Sequence, residues 1–145
     1  MGYMTELSTG KYEITNGLSA GSFLEGGTEE GTPATAGPSH GDSPTWLLTR
    51  VDSLWTLEHV ESNLYLGVEQ FSTEHGANAI MMSVPYQWQI IHADTDDTAF
   101  RLAAPHERVY LTPADGNNTD TRPVKMHQAQ REQNNPSQTW RFTTR

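Results

Sequence analysis

A chain of 145 residues fits a single domain with a sizeable core, and 18 acidic against 9 basic residues give it a formal charge of −9. Its Lys and Arg are scattered and outnumbered, which argues against nucleic acid as a partner, since phosphate neutralisation needs clustered cations. Cysteine is absent, so disulfides and thiolate metal sites are excluded. The opening MGYMTELSTG has no basic region and no apolar run, and no stretch approaches the ~20 apolar residues of a membrane helix. The expectation is a cytoplasmic protein without membrane insertion.

The first predicted element is a strand at Lys11-Tyr12-Glu13-Ile14-Thr15, where period-two alternation puts Tyr12 and Ile14 on one face. An aromatic-Leu pair follows at Phe23-Leu24, then a small triplet at Ala34-Thr35-Ala36, then a closing Trp46. The same four landmarks return as Trp55-Thr56-Leu57, Tyr65-Leu66, Ile80-Met81-Met82 and Trp88. There Trp55 and Leu57 share a face, in phase with His59. They return again as Phe100-Arg101-Leu102, Tyr110-Leu111, Val124-Lys125-Met126 and Trp140. Turn formers separate them, at Asn16-Gly17, Glu61-Ser62-Asn63, Pro105-His106-Glu107 and Asp115-Gly116-Asn117. No segment carries a sustained helical stripe. The first landmarks lie 43 and 45 residues apart and the closing Trp residues 42 and 52, so the third unit has extra length between Met126 and Trp140, predicted as a polar surface loop.

Self-similarity at a fixed period decides the architecture, because a unit this small cannot bury its apolar face alone. Twelve short strands in three groups of four are too few for a propeller, which takes about 4–8 blades. A closed barrel removes exposed strand edges. The prediction is therefore an all-β single domain over residues 1–145, a β-trefoil with repeats at about 9–50, 51–92 and 93–145. Two strands of each repeat line a six-stranded barrel, and three hairpins cap one end.

Gln138-Thr139-Trp140-Arg141-Phe142 contains a QxW motif, and Gly10-Lys11-Tyr12-Glu13-Ile14-Thr15-Asn16 matches a G-x-Y-x-I-x-N opening. On these residues the chain resembles the fungal ricin-B-like trefoil lectins over about Leu7 to Phe142, and more distantly the trefoil protease inhibitors of mushrooms. The resemblance implies a non-catalytic protein that binds galactose- or N-acetylgalactosamine-type glycans or glycoproteins, with a role in defence. A homodimer would raise its avidity.

The family's sugar site uses a carboxylate after the second strand, an aromatic or His platform, and a polar side chain before the closing Trp. Sugar hydroxyls need paired acceptors and donors, and a pyranose has one C–H face that packs on a flat ring. The residues carried over in the first unit are Glu25 with the Gly26 backbone, His40 as platform, and Asp42 or Ser43. Without such a site, Glu25 reads as a solvated charge in a Gly-rich loop and His40 as an exposed loop residue. In the second unit Gly67 and Pro85 stand at the key positions, and no polar set remains. In the third unit they are Thr112 and Ser137, with Asp115, His127 and Asn135 displaced. The ranking is first unit, then third, with the second inactive.

The six histidines show no HxH or HExxH spacing, and no GxSxG or phosphate loop occurs, so neither an enzyme nor a metal or other cofactor is expected. The alternative function is a protease inhibitor acting through an exposed loop. Arg108, Arg122-Pro123 and Gly26-Gly27 are the candidates for it.

Overall fold

The structure, a computed structural model, describes residues 2–39, 41, 43–93, 96–114, 120–128 and 136–145. Twelve strands follow the twelve landmarks. In the first repeat they are β1 (Gly10–Asn16), β2 (Phe23–Glu25), β3 (Thr35–Gly37) and β4 (Trp46–Val51). In the second they are β5 (Leu54–His59), β6 (Tyr65–Val68), β7 (Ala79–Met82) and β8 (Gln89–His92). In the third they are β9 (Phe100–Ala103), β10 (Val109–Pro113), β11 (Arg122–Gln128) and β12 (Trp140–Thr144). Among the described residues the helical pieces are two three-residue 3-10 turns, Glu69–Phe71 and Pro136–Gln138. Residues 129–135 of the predicted third-unit loop lie outside the described residues.

The barrel closes as expected. β1 pairs β12 and β4, β4 pairs β5, β8 pairs β9, and β9 pairs β12, all antiparallel. The remaining seam is the Trp55–Trp88 bridge, with N–H···O bonds of 2.9 and 2.6 Å. In every repeat the first-strand aromatic therefore sits opposite the closing Trp: Tyr12 with Trp46, Trp55 with Trp88, Phe100 with Trp140. The hairpins β2–β3, β6–β7 and β10–β11 form the cap. They join in a closed triangle, with Ala34 N–H donating to Ala79, Met126 N–H to Ala77 and Val124 N–H to Ala34. Among the described residues no hairpin edge is left unpaired at the cap centre.

One device recurs in all three units. The indole N–H of Trp46 donates to the Leu24 carbonyl at 2.9 Å, Trp88 to Leu66 at 2.9 Å, and Trp140 to Leu111 at 3.0 Å. All three Trp side chains are completely buried, so each N–H needs an internal partner. The Leu of each aromatic-Leu pair supplies that partner through its backbone and fills the core with its side chain. Under the barrel, Phe142 meets Tyr12 and Phe100 edge to face at 5.7 and 5.6 Å. At the same end Met4 N–H bonds the Phe142 carbonyl at 2.8 Å, tying the N-terminal segment down.

Candidate functional site

β2 ends on Glu25, whose side chain is 45% exposed and does not hang free in solvent. His59, at the end of β5 and only 2% exposed, places Nε2 at 2.7 Å from Glu25 Oε1. The Gly26 N–H donates to the same oxygen at 2.8 Å. On the other side of the imidazole, Ser62 Oγ lies 2.9 Å from Nδ1 and accepts from Leu64 N–H at 3.3 Å. The network assigns one tautomer for neutral His59: Ser62 O–H donates to Nδ1, and Nε2–H donates to Glu25. Oε1 thus receives two donors, which fill its lone pairs. Oε2 makes no hydrogen bond within the described residues.

Two hollows border Glu25. One of about 140 Å³ lies along the β2–β3 hairpin, lined by Phe23, Thr35, Gly37, Ser39 and Pro44. The other, about 250 Å³, is lined by Ser43, Thr45, His59, Val60, Glu61 and Arg145. Ser43 Oγ donates to Glu13 Oε2 at 2.8 Å and accepts from Arg145, whose guanidinium also reaches Glu13 at 3.4 Å. The structure thus brings Glu25, Gly26 and Ser43 to one region. It commits the Gly26 N–H to the carboxylate, so that group is not available as a donor to a ligand. His40 and Asp42 lie outside the described residues.

The same slot in the other units is filled by different chemistry. In the first unit the place opposite the closing Trp holds His59, and the residue two before that Trp is the small, buried Pro44. In the second unit Ala104 stands where His59 stands, one residue past the Gln89–Ala103 pair, and Tyr86 replaces Pro44. A Cβ added at Gly67, the position equivalent to Glu25, would run into the Met82 sulfur and lie 3.1 Å from Tyr86 Cβ. No carboxylate fits there. The hollow that remains, about 420 Å³, is lined by Phe71, Thr73, Pro85, Tyr86, Gln87 and Pro105.

In the third unit Asn16 takes the His59 place and donates to the carbonyls of Ser137 and Thr139 at 3.0 and 3.3 Å. Gln138 replaces Pro44 and reaches the buried Thr112 at 3.3 Å. The equivalent slot is packed shut: a Cβ at Gly17 would fall onto Thr139 Oγ1 and 2.9 Å from the Pro136 carbonyl. His127 packs its ring against His75 at 4.7 Å instead. Asp115 and Asn135 lie outside the described residues.

No protein-family profile matches the sequence, and no curated protein matches it. Among solved structures, the Macrolepiota procera ricin B-like lectin, determined in complex with lactose, superposes with a TM-score of 0.83 at 25% identity, covering 97% of this chain and 99% of that one. The Rhizoctonia solani agglutinin gives a TM-score of 0.80 at 25% identity, with 97% and 98% covered. The chain is a β-trefoil, the fold it shares with the ricin B-like lectin. A designed threefold-symmetric protein, ThreeFoil, also superposes on this trefoil, with a TM-score of 0.78 at 25% identity over 93% of this chain and 99% of that one.

The trefoil corrects two of the inhibitor-loop expectations. Arg122 and Pro123 are not on an exposed loop. They belong to β11 and pair with Ala36 and Thr35, and Arg122 donates to the Ala114 carbonyl at 2.9 Å. Gly26 and Gly27 do not protrude either, because a Cβ at Gly26 would lie 2.8 Å from Met81 Cε and 3.1 Å from His59 Cγ, and one at Gly27 would meet Thr32. Arg108 remains, on the exposed turn between Ala104 and Val109. The residue missed as a site member is His59. Its phase with Trp55 and Leu57 marked it as core-facing, but its partner Glu25 comes from another repeat. Among the described residues no group of three or more His, Asp or Glu could hold a metal, and no helix is long and apolar enough to cross a membrane.

Proposed function

We propose that this trefoil binds glycans without catalysis, through the first repeat, with galactose- or N-acetylgalactosamine-type sugars as the ligand class. The observation that carries the reading is the Glu25 carboxylate. It stands directly after the second strand, is held by His59 and Gly26, and opens onto two hollows of monosaccharide scale. Structural likeness to a lectin solved with lactose, a galactose-terminated disaccharide, supports the sugar class. With Oε1 saturated, the ligand's hydroxyls converge on Oε2. A carboxylate acceptor gives a charge-assisted hydrogen bond of about twice ordinary strength. Ser43 Oγ adds a polar group on one side, and the hairpin wall with Pro44 adds apolar contact on the other.

The test is a glycan array on labelled protein, with free lactose and N-acetylgalactosamine as competitors and Glu25→Ala in parallel. Signal on galactose-type glycans, competed by free sugar and lost in Glu25→Ala, is the expected result. Undiminished binding by Glu25→Ala would move the site to another repeat. A blank array from folded protein would end the lectin reading and turn attention to inhibition of trypsin-like proteases, with Arg108→Ala as its first variant.

A further inference from the structure

We propose that His59 is the positioning residue of the Glu25 site and makes its ligand affinity fall as the pH is lowered. This rests on the glycan reading above and adds regulation to it.

The geometry is specific. His59 is almost wholly buried, sits edge-on to Trp46 at 5.2 Å, and has a hydrogen-bond partner on each nitrogen. It cannot swing away, because its ring is wedged between Trp46 and the Gly26 backbone. It therefore decides where Glu25 Oε1 lies, and through the rigid carboxylate where Oε2 points. A hydroxyl-binding acceptor gains affinity from being held in place before the ligand arrives.

The same contacts accommodate a second proton. If His59 takes one at Nδ1, that nitrogen becomes a donor, and Ser62 Oγ can rotate from donor to acceptor without moving a heavy atom. Nε2–H already points at Glu25, so the 2.7 Å hydrogen bond becomes an ion pair. The imidazolium then draws carboxylate charge toward Oε1 and weakens Oε2 as an acceptor for the ligand. Among the described residues, the charged groups around His59 are Glu25 from β2, Glu61 from the turn after β5, and Arg145 beyond β12, itself paired with Glu13 of β1. The neighbouring Pro44, Thr45 and Trp46 bring no charge. The carboxylates outnumber the single guanidinium, so the slot can accept the added positive charge. Ala104 and Asn16 occupy the equivalent places in the other repeats, and neither titrates.

The experiment measures lactose and N-acetylgalactosamine affinity of the wild type, His59→Gln and Ser62→Ala between pH 8 and 5. Gln keeps an N–H donor near the Nε2 position but cannot gain a proton, while Ser62→Ala breaks the relay from outside the core and leaves the fold untested by volume loss. Affinity of the wild type is expected to fall across this range by less than about fivefold, because the carboxylate stays ionised and its bond to the ligand is weakened but remains charge-assisted. His59→Gln places Glu25 less firmly, so it should bind more weakly than the wild type at pH 8 and show no pH dependence, and Ser62→Ala should flatten the profile. Carboxyl-carbon NMR of Glu25 in ligand-free protein should show a second step above its own titration, absent in His59→Gln. Sugar binding with the same pH profile in wild type and His59→Gln, or a Glu25 resonance with no second step, would overturn the proposal while leaving the lectin reading intact. Loss of sugar binding at every pH in the wild type would remove both.

Discussion

Tyr86 packs on Trp88 at 4.9 Å and 59°, and His59 packs on Trp46 at 5.2 Å and 60°. His59 comes from the end of β5 and Tyr86 from the segment between β7 and β8, and each packs on a closing Trp. Each ring is matched by a small residue where the other repeat is large: Ala104 opposite Tyr86, Pro44 opposite His59. This exchange decides which repeat has a carboxylate. A polar ring leaves an N–H that needs an acceptor, and Glu25 supplies one. In the second repeat a Cβ at position 67 would run into the Met82 sulfur and lie 3.1 Å from Tyr86 Cβ, so Gly67 leaves room for both side chains. Grafting a carboxylate there is therefore expected to fail. Gly67→Asp should lower stability by about 1–3 kcal/mol through overpacking against Met82 and Tyr86, read as a shift in the urea midpoint, and should create no second sugar site on the array.

The threefold Trp–Leu hydrogen bond gives a symmetric prediction. Trp46→Phe, Trp88→Phe and Trp140→Phe each remove a buried N–H donor, leave a Leu carbonyl without its partner, and open a cavity. Each should cost about 2–4 kcal/mol in urea unfolding. Near-equal costs would show that the three repeats contribute alike to one cooperative core. A much smaller cost in one repeat would show that its closing strand contributes less than the others.

Eleven of the twelve strands carry a buried side chain, and β8, which carries none, was legible from Trp88 immediately before it. Tyr12, Trp55 and Phe100 mark the barrel, and three Trp residues close it. The site was only partly legible. Glu25 followed from its place after Phe23-Leu24. His59, 34 residues on, meets it only because β5 of the second repeat borders the first repeat's slot. No spacing rule within a repeat encodes that contact. Arg122-Pro123 misled for a related reason: a proline beside a cation suggests a loop, but here Pro123 pairs with Thr35 across the cap. Pro123 has no N–H to offer a ladder, so only its carbonyl, accepting from Ala114 at 2.8 Å, is used.

Below pH 4 a different carboxylate should govern stability. Asp96 accepts from the Thr98 hydroxyl and N–H at 2.7 and 2.9 Å and pairs with Arg141 at 2.9 Å. The Thr98 bonds, helped by Arg141, lower its pKa from 3.8 to about 2. A lowered folded-state pKa means the stabilisation is complete above 3.8 and is lost as pH falls through about 2. Because the pair is partly exposed, its worth at neutral pH is below about 1 kcal/mol. Asp96→Asn should melt slightly below wild type at pH 6, and the difference should shrink as pH falls from 4 toward 2. A constant difference across that range would assign the effect to lost hydrogen bonds rather than to ionisation.

The second repeat carries backbone strain beside its ring-lined hollow. Gln70 and Phe71 both have left-handed φ, +54° and +52°, in consecutive non-glycine residues. Each such residue costs about 1 kcal/mol or more. The conformation turns Phe71 outward, 58% exposed, onto Tyr86 in a stacked arrangement at 5.8 Å. The stacking offsets part of the strain, since an aromatic pair contributes about 0.5–1.5 kcal/mol. Gln70→Gly relieves the strain at one residue and keeps the ring pair, so it should raise the melting temperature by about 2–4 °C. Phe71→Ala leaves the strained backbone without the ring contact and should lower it by a similar amount. If Gln70→Gly instead lowers the melting temperature, the Gln70 side chain contributes more than the left-handed backbone costs, and the turn is held by contacts other than the Phe71–Tyr86 stack.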